Sequence, residues 1–520
     1  MSSFTIPPLT NDPVIDLAVD TIKKKKQALV FVNTKRSAEK VAEDIARKAM
    51  LKNPYLKKIS EEARKALSRP TKQCERLAYC LERGIAFHHA GLAQKQRELI
   101  EDAFREKKIP IIACTPTLAA GVDLPAFRTI LRDLRRFGHR GLAWIPVLEY
   151  LQQSGRAGRP SFDSYGESIA IASTDAEKDK IVEHYIKGEP EAIQSKLAVE
   201  PVLRTYILSL IASEFIHTEE SLFDFFGKTF WAHQFQDMTE LKAKLCSMIH
   251  KLQEWEFLEG SDDDFVGADE IASGKLKATK LGKRVAELYL DPYTGRSMLD
   301  CMAKAERKRI TPFSFLHMVC CTLEMRPLLR VKTKDADMMD DAMVSHQASL
   351  LENEPYFYDP EFDSYQNAVK TALFMHDWIE EQHEEYLLEK YDIRPGEIRM
   401  KLNIADWLLF AADELSKLSK LGLSTELRKA RTRMKYGAKE ELFPLIRLKQ
   451  VGRARARRLF NNGIKDIAGV KKASYSTLAQ LLGKGMAETI KEQVGQQAEA
   501  VPKGKRKGQL SLGKYSKEKD

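Results

Sequence analysis

The chain has 520 residues and carries 84 Lys and Arg against 74 Asp and Glu, a net charge of +10, with 43% apolar residues. This length predicts three to five domains, and the apolar share excludes a wholly disordered protein. No run of about 18 apolar residues occurs and the seven cysteines contain no Cys-x-x-Cys pair, so the sequence predicts no membrane span, no disulfide framework, no metal site and a reducing cytoplasmic location.

The first 185 residues alternate short apolar runs with amphipathic segments. Helical patterns begin at Ser37 and Ala93, after the first and second runs. This alternation predicts an α/β domain with a parallel sheet and helical crossovers. The predicted strands are Gln27–Val32, Ile85–His88, Pro110–Cys114 and Glu167–Ala172.

Strand signals become rare after this domain. Three helical segments and two short strands, Phe257–Leu258 and Leu276–Thr279, predict a winged helix at 190–292, and 293–435 is helical almost throughout. A smaller helical unit follows at 436–497. The tail, 498–520, is basic and rich in Lys, Gly and Ser, a composition typical of disorder. The predicted fold class is therefore multidomain, with one α/β domain followed by mainly helical domains.

A Gly-Arg-Ala-Gly-Arg sequence at 155–159 is the strongest chemical signal. Arg156 and Arg159 are three residues apart, which places both guanidinium groups on one face of a helical turn. Guanidinium groups suit the dispersed charge of a phosphoryl-transfer transition state. The alternative interpretation is a pair of surface arginines after a helix.

Two further segments follow predicted strands. Thr115–Pro125 joins a strand to a helix, where hydroxyl and backbone N–H groups bind phosphate, and Asp123 places a carboxylate just beyond. His88 and His89 end another strand, at the usual binding edge of an open α/β sheet. Adjacent strand residues point to opposite faces and no third ligand is near, so a packed His89 is favoured over a metal site.

These segments, in this order, resemble the second RecA-like domain of superfamily 2 helicases. Ala28–Glu39 resembles motif IV, Thr115–Pro125 motif V and Gln152–Pro160 motif VI, with Gln153 and Ser154 in place of the usual Met-Ala. The likeness is to the Ski-like branch, and within it to archaeal fork-repair helicases, relatives of animal HELQ and of the helicase half of DNA polymerase theta. It covers nearly the whole chain. It implies a RecA-like domain at 1–185, followed by a winged helix, a helical ratchet domain and a helix-hairpin-helix domain.

The resemblance also implies which residues act. ATP and Mg²⁺ are the implied cofactors, with Arg156 and Arg159 catalytic and Gln152, Gly121 and Asp123 binding ATP. A β-hairpin within Arg128–Trp144 would part the duplex, although its arginines also fit a solvated face. The implied DNA contacts up to the ratchet domain are Arg36, His89, Thr115, Arg132, Arg135, Arg136, Arg399 and Trp407.

Trp407 matches the ratchet-helix aromatic that stacks on a single-stranded base, a contact of about 1–3 kcal/mol. A core tryptophan is the alternative. Arg399-Met400 stands where the family often has two arginines, so one phosphate contact is missing or is moved to Lys401.

Leu445–Ala468 has the pattern of a helix, a Val-Gly hairpin and a second helix. Such a hairpin presents backbone N–H groups and arginines to a phosphate backbone. A solvated basic helix is the alternative. The arginines in question are Arg453, Arg455, Arg457 and Arg458.

The sequence contains no P-loop of the form GxxxxGK[ST] and no DExH box. Gly227-Lys228-Thr229 has Leu222 in place of the first Gly, and it follows an aromatic helix instead of a strand. We therefore expect a first RecA-like domain, which would bind most of the ATP and Mg²⁺, to come from elsewhere, as part of a longer chain or as a split subunit. A truncated chain, a split gene and a misplaced start codon are left open.

Three functions are compatible with the sequence. The first is the C-terminal part of an ATP-dependent 3′–5′ DNA helicase that acts, as a nucleoid-associated monomer, on single-stranded and forked DNA at stalled or damaged replication forks. The second is a nucleic-acid-binding module without ATP turnover, and the third is a Ski-like RNA helicase. The helix-hairpin-helix pattern and the lack of an RNA-type arch insertion favour DNA.

The tail carries Gln509, Leu512 and Tyr515 at a spacing of three after a basic run. This pattern resembles the peptide by which replication and repair proteins dock on the sliding clamp, which makes the clamp a candidate partner. Ser516 stands where the second aromatic usually lies, and an ordinary solvated Lys-rich tail is the alternative.

Overall fold

The computed structural model describes residues 5–49, 51, 53–67, 70–138, 141–158, 163–235, 237–259 and 275–495. Its contacts divide the chain into two compact units. Unit 1 comprises Met1–Tyr293 together with Glu385–Asn403, and unit 2 comprises Thr294–Glu384 together with Ile404–Asp520.

Unit 1 begins with a wholly parallel sheet, as the sequence predicts, but the sheet has five strands where four are predicted, because Arg128–Leu131 also forms a strand. Its strand order is β2-β3-β1-β4-β7, and Ala28 of β1 lies opposite Ile111 on one side and Arg128 on the other. The residues of the three central strands are buried, and two of these strands, Ala28–Phe31 and Ile111–Cys114, are continuously apolar instead of alternating. The third, Arg128–Leu131, is buried although it begins with Arg and Thr. The strands are β1 (Ala28–Phe31), β2 (Ile85–His88), β3 (Ile111–Cys114), β4 (Arg128–Leu131), β5 (Arg135–Gly138), β6 (Gly141–Trp144) and β7 (Glu167–Ala170).

Helices cover this sheet, and capping side chains set their starts. The second helix begins at Lys35, two residues before the predicted start, because the Thr34 hydroxyl accepts a 3.0 Å hydrogen bond from the Ser37 N–H and is the N-cap. The helices of this part are α1 (Pro13–Lys23), α2 (Lys35–Lys48), α3 (Pro54–Lys65), α4 (Lys72–Leu81), α5 (Gln94–Arg105), α6 (Thr117–Gly121), α7 (Val147–Ser154) and α8 (Asp175–Ile181), the last continuing into a π-helical turn at Val182–Ile186.

The β-hairpin expected before motif VI is present. Strands β5 and β6 pair antiparallel outside the main sheet, with Arg135 opposite Trp144. Arg128, at the start of the expected hairpin segment, is instead fully buried in β4, where its guanidinium donates to Glu167 at 2.6 Å and to the Leu17 carbonyl at 2.9 Å. It therefore anchors the sheet to α1.

The remainder of unit 1 is helical, with two isolated antiparallel bridges, Thr218 with Lys275 and Leu258 with Ala278. Leu258 bridges Ala278, at the two positions where short strands are predicted. Arg204 fixes the first of these helices by a bidentate pair with Asp291, at 2.7 and 2.9 Å. The helices are α9 (Glu200–Ala212), α10 (Glu219–Gly227), α11 (Phe230–Phe235), α12 (Met238–Glu254) and α13 (Lys280–Glu287).

Helices are the only regular secondary structure among the described residues of unit 2. Its helices are α14 (Pro292–Ala305), α15 (Pro312–Cys320), α16 (Ala336–His346), α17 (Phe362–Ile379), α18 (Glu384–Tyr391), α19 (Pro395–Leu418), α20 (Ser424–Tyr436), α21 (Phe443–Ile446), α22 (Arg453–Asn461), α23 (Ile467–Lys472), α24 (Tyr475–Leu482) and α25 (Lys484–Gln493). Of these, the first two residues of α14, all of α18 after Glu384 and α19 as far as Asn403 belong to unit 1. In the described parts of both units, no helix combines the length and hydropathy needed to cross a bilayer.

Histidines packed in unit 2 make its stability sensitive to acid. His317 is fully buried against Phe313 and Tyr365, and burial lowers the pKa of His317 to about 4 from 6.5. Above pH 6.5 the imidazole is neutral in both the folded and unfolded states. Between pH 6.5 and 4 the His317 imidazole is protonated in the unfolded chain but not in the folded one. The free energy of unfolding therefore decreases as the pH is lowered through this range.

We expect this loss to reach about 3 kcal/mol by pH 4, since one pKa unit corresponds to about 1.4 kcal/mol. Urea unfolding of unit 2 at a series of pH values measures it. A His317→Gln variant, which cannot titrate, should show a shallower slope over this window. An identical slope in the variant would assign the acid sensitivity to other groups.

Candidate nucleotide and nucleic-acid site

Arg156 joins motif VI to motif V. It follows α7, and its guanidinium donates from Nε to the Ala119 carbonyl at 3.0 Å and from Nη1 to Asp123 Oδ1 at 3.2 Å. A second guanidinium nitrogen also donates to the Ala119 carbonyl. These contacts fix the side chain against the end of α6.

Backbone hydrogen bonds reinforce this junction. The Ala126 N–H donates to the Arg156 carbonyl at 2.9 Å, and the Gly158 N–H donates to the Ala126 carbonyl at 2.7 Å. Gly166 packs so closely on Gly158 that a Cβ on Gly166 would lie 2.3 Å from the Gly158 nitrogen. The two motifs therefore form one structural element at the carboxyl edge of the sheet.

Polar groups of both motifs are accessible at this edge. Asp123 is 93% exposed, Gln152 and Gly121 are exposed, and the Arg156 side chain retains 22% exposure. An exposed guanidinium, amide and carboxylate provide donors for phosphate and an acceptor for Mg²⁺-bound water, so the residues present fit one side of an ATP-Mg²⁺ site. Arg159 lies outside the described residues.

A buried carboxylate, Glu39, accepts hydrogen bonds from several segments near the carboxyl end of β2. It lies on α2, is 3% exposed, and its Oε1 accepts hydrogen bonds from Gln73 at 2.9 Å, from His89 at 3.2 Å and from Arg394 at 3.2 Å. Its other oxygen accepts from Arg76. One carboxylate thus holds α4, the turn after β2 and the segment before α19.

The charge state of Glu39 follows from these partners. Burial alone would raise its pKa, but hydrogen bonds from His89 and Gln73 and the charges of Arg394 and Arg76 outweigh burial and hold the pKa of Glu39 well below its ordinary value. Glu39 is therefore ionised at neutral pH.

The His89 side chain is fully buried within this cluster. Its Nδ1 accepts a 3.1 Å hydrogen bond from the Gly91 N–H, so Nε2 carries the proton and donates to Glu39. Burial lowers the pKa of His89, which keeps the ring neutral. Both ring nitrogens are used, which leaves the backbone of the turn as the part able to contact a phosphate.

The same turn packs tightly against the start of α19. The Gly396 N–H donates to the Gly91 carbonyl at 3.1 Å, and a Cβ on Gly396 would lie 2.4 Å from the Ala90 oxygen. A Cβ on Gly91 would lie 2.4 Å from the Arg394 side chain. Glycine is required at Gly396, where the close atoms belong to the backbone, whereas a Cβ on Gly91 would displace the Arg394 side chain.

The other predicted DNA contacts of the α/β domain differ in accessibility. Arg36 is exposed, whereas Thr115 is 8% exposed and its hydroxyl pairs with that of Thr117 at 3.0 Å. Arg132 is 37% exposed. In the hairpin, the Arg135 guanidinium lies 4.1 Å from the centre of the Trp144 ring, and Arg136 pairs with Glu149 at 2.8 Å.

Helix α19 carries the predicted ratchet residues. Arg399 is exposed, Trp407 is partly exposed, and Lys401 is 3% exposed, which argues against Lys401 as a replacement phosphate contact. Beside Trp407, Asp406 accepts a bidentate pair from Arg431 at 3.0 and 3.1 Å. The tryptophan is thus outside the fully buried core.

Two of the four arginines at the start of α22 are tied to other helices of unit 2. Arg457 donates to both carboxylate oxygens of Glu381, at 2.8 and 2.7 Å, and its guanidinium also pairs with Glu441. Arg453 lies 4.4 Å from the centre of the Trp378 ring.

Arg455 and Arg458 are exposed, although each donates to a backbone carbonyl, at 2.6 and 2.8 Å. The predicted first helix of the hairpin is a single turn, α21.

Gln509, Leu512 and Tyr515 lie outside the described residues.

Sequence reasoning missed Glu39, Arg394 and Glu381 as organising residues. The available signal was a Glu on the apolar face of α2, beside Ala38, Val41 and Ala42. A charged residue at a buried helical position requires a partner, but its partners lie 34 to 355 positions away and could not be named. Among the described residues, no group of three or more His, Cys, Asp and Glu is placed to hold a metal ion.

Comparisons with known proteins identify the family. The model "Helicase conserved C-terminal domain" matches residues 64–161, and "Archaeal helicase, domain 4" matches residues 313–437. The ATP-dependent DNA helicase Hel308 of Pyrococcus horikoshii is 37% identical over 501 residues, which cover 95% of this chain and 67% of the relative.

Two other relatives give the same result. The ATP-dependent DNA helicase Hel308 of Pyrococcus abyssi is 37% identical, with the same shares covered, and that of Methanocella arvoryzae is 36% identical over 94% of this chain and 66% of its own length. The chain thus spans about two thirds of the length of these relatives. On this evidence the chain belongs to the Hel308 family of archaeal, Ski-like superfamily 2 DNA helicases.

Proposed function

We propose that this chain supplies the second RecA-like domain and the DNA-handling domains of an ATP-dependent DNA helicase that unwinds forked DNA with 3′–5′ polarity. The observation that carries the proposal is the contact of Arg156 with Ala119 and Asp123, which unites motifs V and VI at one accessible edge. A first RecA-like domain with a P-loop would complete the site. ATP bound there supplies the free energy of hydrolysis.

The proposal assigns a role to each residue of motifs V and VI at the ATP site. Arg156 and Arg159 stabilise the charge that develops on the transferred phosphoryl group, and Asp123 holds Arg156 in place. Gln152 and Gly121 contribute exposed polar groups to nucleotide binding.

The domain assignments extend this proposal along the chain. We assign 1–185 to the RecA-like domain, 190–292 to a winged helix, 293–435 to a ratchet domain and 436–497 to a helix-hairpin-helix domain. The bridge of Leu258 with Ala278, at the expected wing, supports the second assignment.

We propose that exposed arginines contact the phosphates of the bound DNA. Arg36, Arg132 and the hairpin arginines Arg135 and Arg136 contact phosphates beside the turn that holds His89. Arg399, Arg455 and Arg458 are exposed candidates for further phosphate contacts, whereas Arg453 and Arg457 contact Trp378 and Glu381 and act on DNA only indirectly.

The chain alone is expected to hydrolyse ATP more slowly than about 1 s⁻¹, with or without single-stranded DNA, because it has no P-loop to hold the β- and γ-phosphates. Phosphate release measures this. Adding a P-loop-bearing first RecA-like domain of the same family should restore hydrolysis. The combined domains should then unwind a duplex that carries a 3′ single-stranded tail but not a duplex that carries a 5′ tail. Failure of the combined domains to hydrolyse ATP would favour the second function, a binding module without turnover.

Trp407→Ala is expected to weaken binding to oligo(dT) by about 5- to 150-fold, since stacking on a base contributes about 1–3 kcal/mol. Fluorescence anisotropy measures the affinity, and Trp407→Phe, which keeps a ring, should bind nearly as well as the wild type. Leu418→Ala, on the same helix and 45% exposed, is the matched control. A Trp407→Ala chain that unfolds would support the core interpretation instead.

We also propose, from the sequence alone, that Gln509, Leu512 and Tyr515 bind a sliding clamp. A peptide of residues 500–520 titrated against an archaeal clamp tests this. Equal binding by the triple-alanine peptide would leave the tail as a non-specific DNA contact.

A further inference from the structure

Unit 2 exposes three consecutive aromatic residues. Tyr356 is 83% exposed, Phe357 71% and Tyr358 94%, in the segment that leads into α17. We call residues 352–363 the acidic aromatic loop, because they also contain five carboxylates and neither Lys nor Arg. Its carboxylates are Glu352, Glu354, Asp359, Glu361 and Asp363.

The loop has a defined conformation. The Tyr356 N–H donates to Asp359 Oδ2 at 2.8 Å, and the Asp359 N–H donates back to the Tyr356 carbonyl at 2.8 Å. The ring of Phe357 lies 5.2 Å from that of Phe362. Asp359 thus closes a turn that points the three aromatic side chains into solvent.

Both ends of the loop are anchored in the core of unit 2. Leu351 is fully buried, and Glu352 accepts hydrogen bonds from Ser297 at 2.8 Å and from Cys301 at 3.1 Å. Beyond the loop, Tyr365 is 7% exposed. The aromatic residues are therefore presented by a pre-organised turn, which lowers the entropic cost of binding a ligand.

The charge around these rings selects the ligand. In the described part of the chain, no ion pair neutralises Glu354, Asp359, Glu361 or Asp363. Just beyond the loop, Arg326 donates to the Ser364 hydroxyl at 3.2 Å. A surface of this charge repels the phosphates of nucleic acid, although the chain as a whole carries +10. Exposed aromatic faces beside carboxylates instead suit Lys and Arg side chains, which the rings attract by cation–π contact.

We propose that the acidic aromatic loop docks a Lys- and Arg-rich segment of a partner protein. The rings receive the cationic side chains and the carboxylates pair with their charges. Tyr, Phe and Arg are also residue types enriched at protein interfaces. This assignment gives the chain a protein-binding surface separate from the residues proposed to contact DNA.

Anisotropy titration of the full chain with a fluorescein-labelled (Gly-Lys-Gly-Arg)₃ peptide tests the proposal. The triple variant Y356S/F357S/Y358S should weaken peptide binding at least about tenfold, because several cation–π contacts are lost. The charge variant E354Q/E361Q/D363N should also weaken it and reduce its salt dependence. Neither variant should change the affinity for oligo(dT).

Tyr289→Ser, at an 84% exposed tyrosine of unit 1, is the matched control and should leave peptide binding unchanged. Peptide affinity that is unaffected by the triple variant would overturn the proposal. So would a parallel loss of oligo(dT) binding, which would identify a base-stacking surface. A tenfold gain in peptide affinity on deleting residues 501–520 would identify the chain's own basic tail as the occupant, and the partner-protein proposal would fail.

Discussion

Replacing Arg156 with Ala is expected to reduce ATP hydrolysis about a thousandfold once a first RecA-like domain is supplied, because an arginine at the transferred phosphoryl group contributes at least about that factor. The guanidinium is already aligned by the Ala119 carbonyl and by Asp123, 3.2 Å away. Steady-state phosphate release with saturating oligo(dT) measures the effect. DNA affinity should stay within about twofold of the wild type.

Two further variants separate catalysis from positioning. Arg156→Lys keeps the charge but cannot donate to Ala119 and Asp123 together, so it should remain strongly impaired. Asp123→Asn keeps a hydrogen-bond acceptor and should lose less activity than either arginine variant. If Arg156→Ala instead lost DNA binding and kept hydrolysis, the contact would be a structural link between motifs V and VI.

The parallel sheet could be predicted because its information is local. Strands β1, β2 and β3 are short apolar runs, and helices of 3.6-residue period separate them, so the runs at 27–32, 85–88 and 110–114 predict these strands by pattern alone. Strand β4 begins with Arg128 and Thr129 and gives no such signal. The sequence pattern predicts the start of α2 two residues late, because both Thr34 and Ser37 are good N-caps. The geometry of the backbone, with the Thr34 hydroxyl accepting from the Ser37 N–H, decides between them.

The site could be predicted less completely because its contacts are long-range. Motif VI marked Arg156 by its neighbours in sequence, but no pattern places Arg394 on Glu39 or Arg457 on Glu381. A basic helix start gives the same sequence signal whether its arginines contact DNA or a carboxylate 76 positions away. Only the folded chain distinguishes these uses.

Replacing Glu39 with Ala is expected to lower the free energy of unfolding of unit 1 by about 3 kcal/mol, since removing one partner of a buried charge cluster leaves the others unpaired. The buried His89 Nε2–H would lose its acceptor, and Arg76 and Arg394 would lose their shared carboxylate. Urea unfolding at pH 7 measures the change. Because the pKa of Glu39 is depressed by folding, its contribution is fully present above the ordinary carboxyl pKa and declines in acid.

Glu75→Ala is the matched control. Glu75 is 55% exposed and pairs with Arg64 at 3.0 Å, so its loss should cost less than about 1 kcal/mol, the usual range for a surface pair. Glu39→Gln keeps an acceptor for His89 and should fall between the two. Equal, small losses for Glu39→Ala and Glu75→Ala would show that Arg76 and Arg394 are adequately solvated without the carboxylate. The turn after β2 would then be held against α19 by the close approach of Gly91 and Gly396 alone.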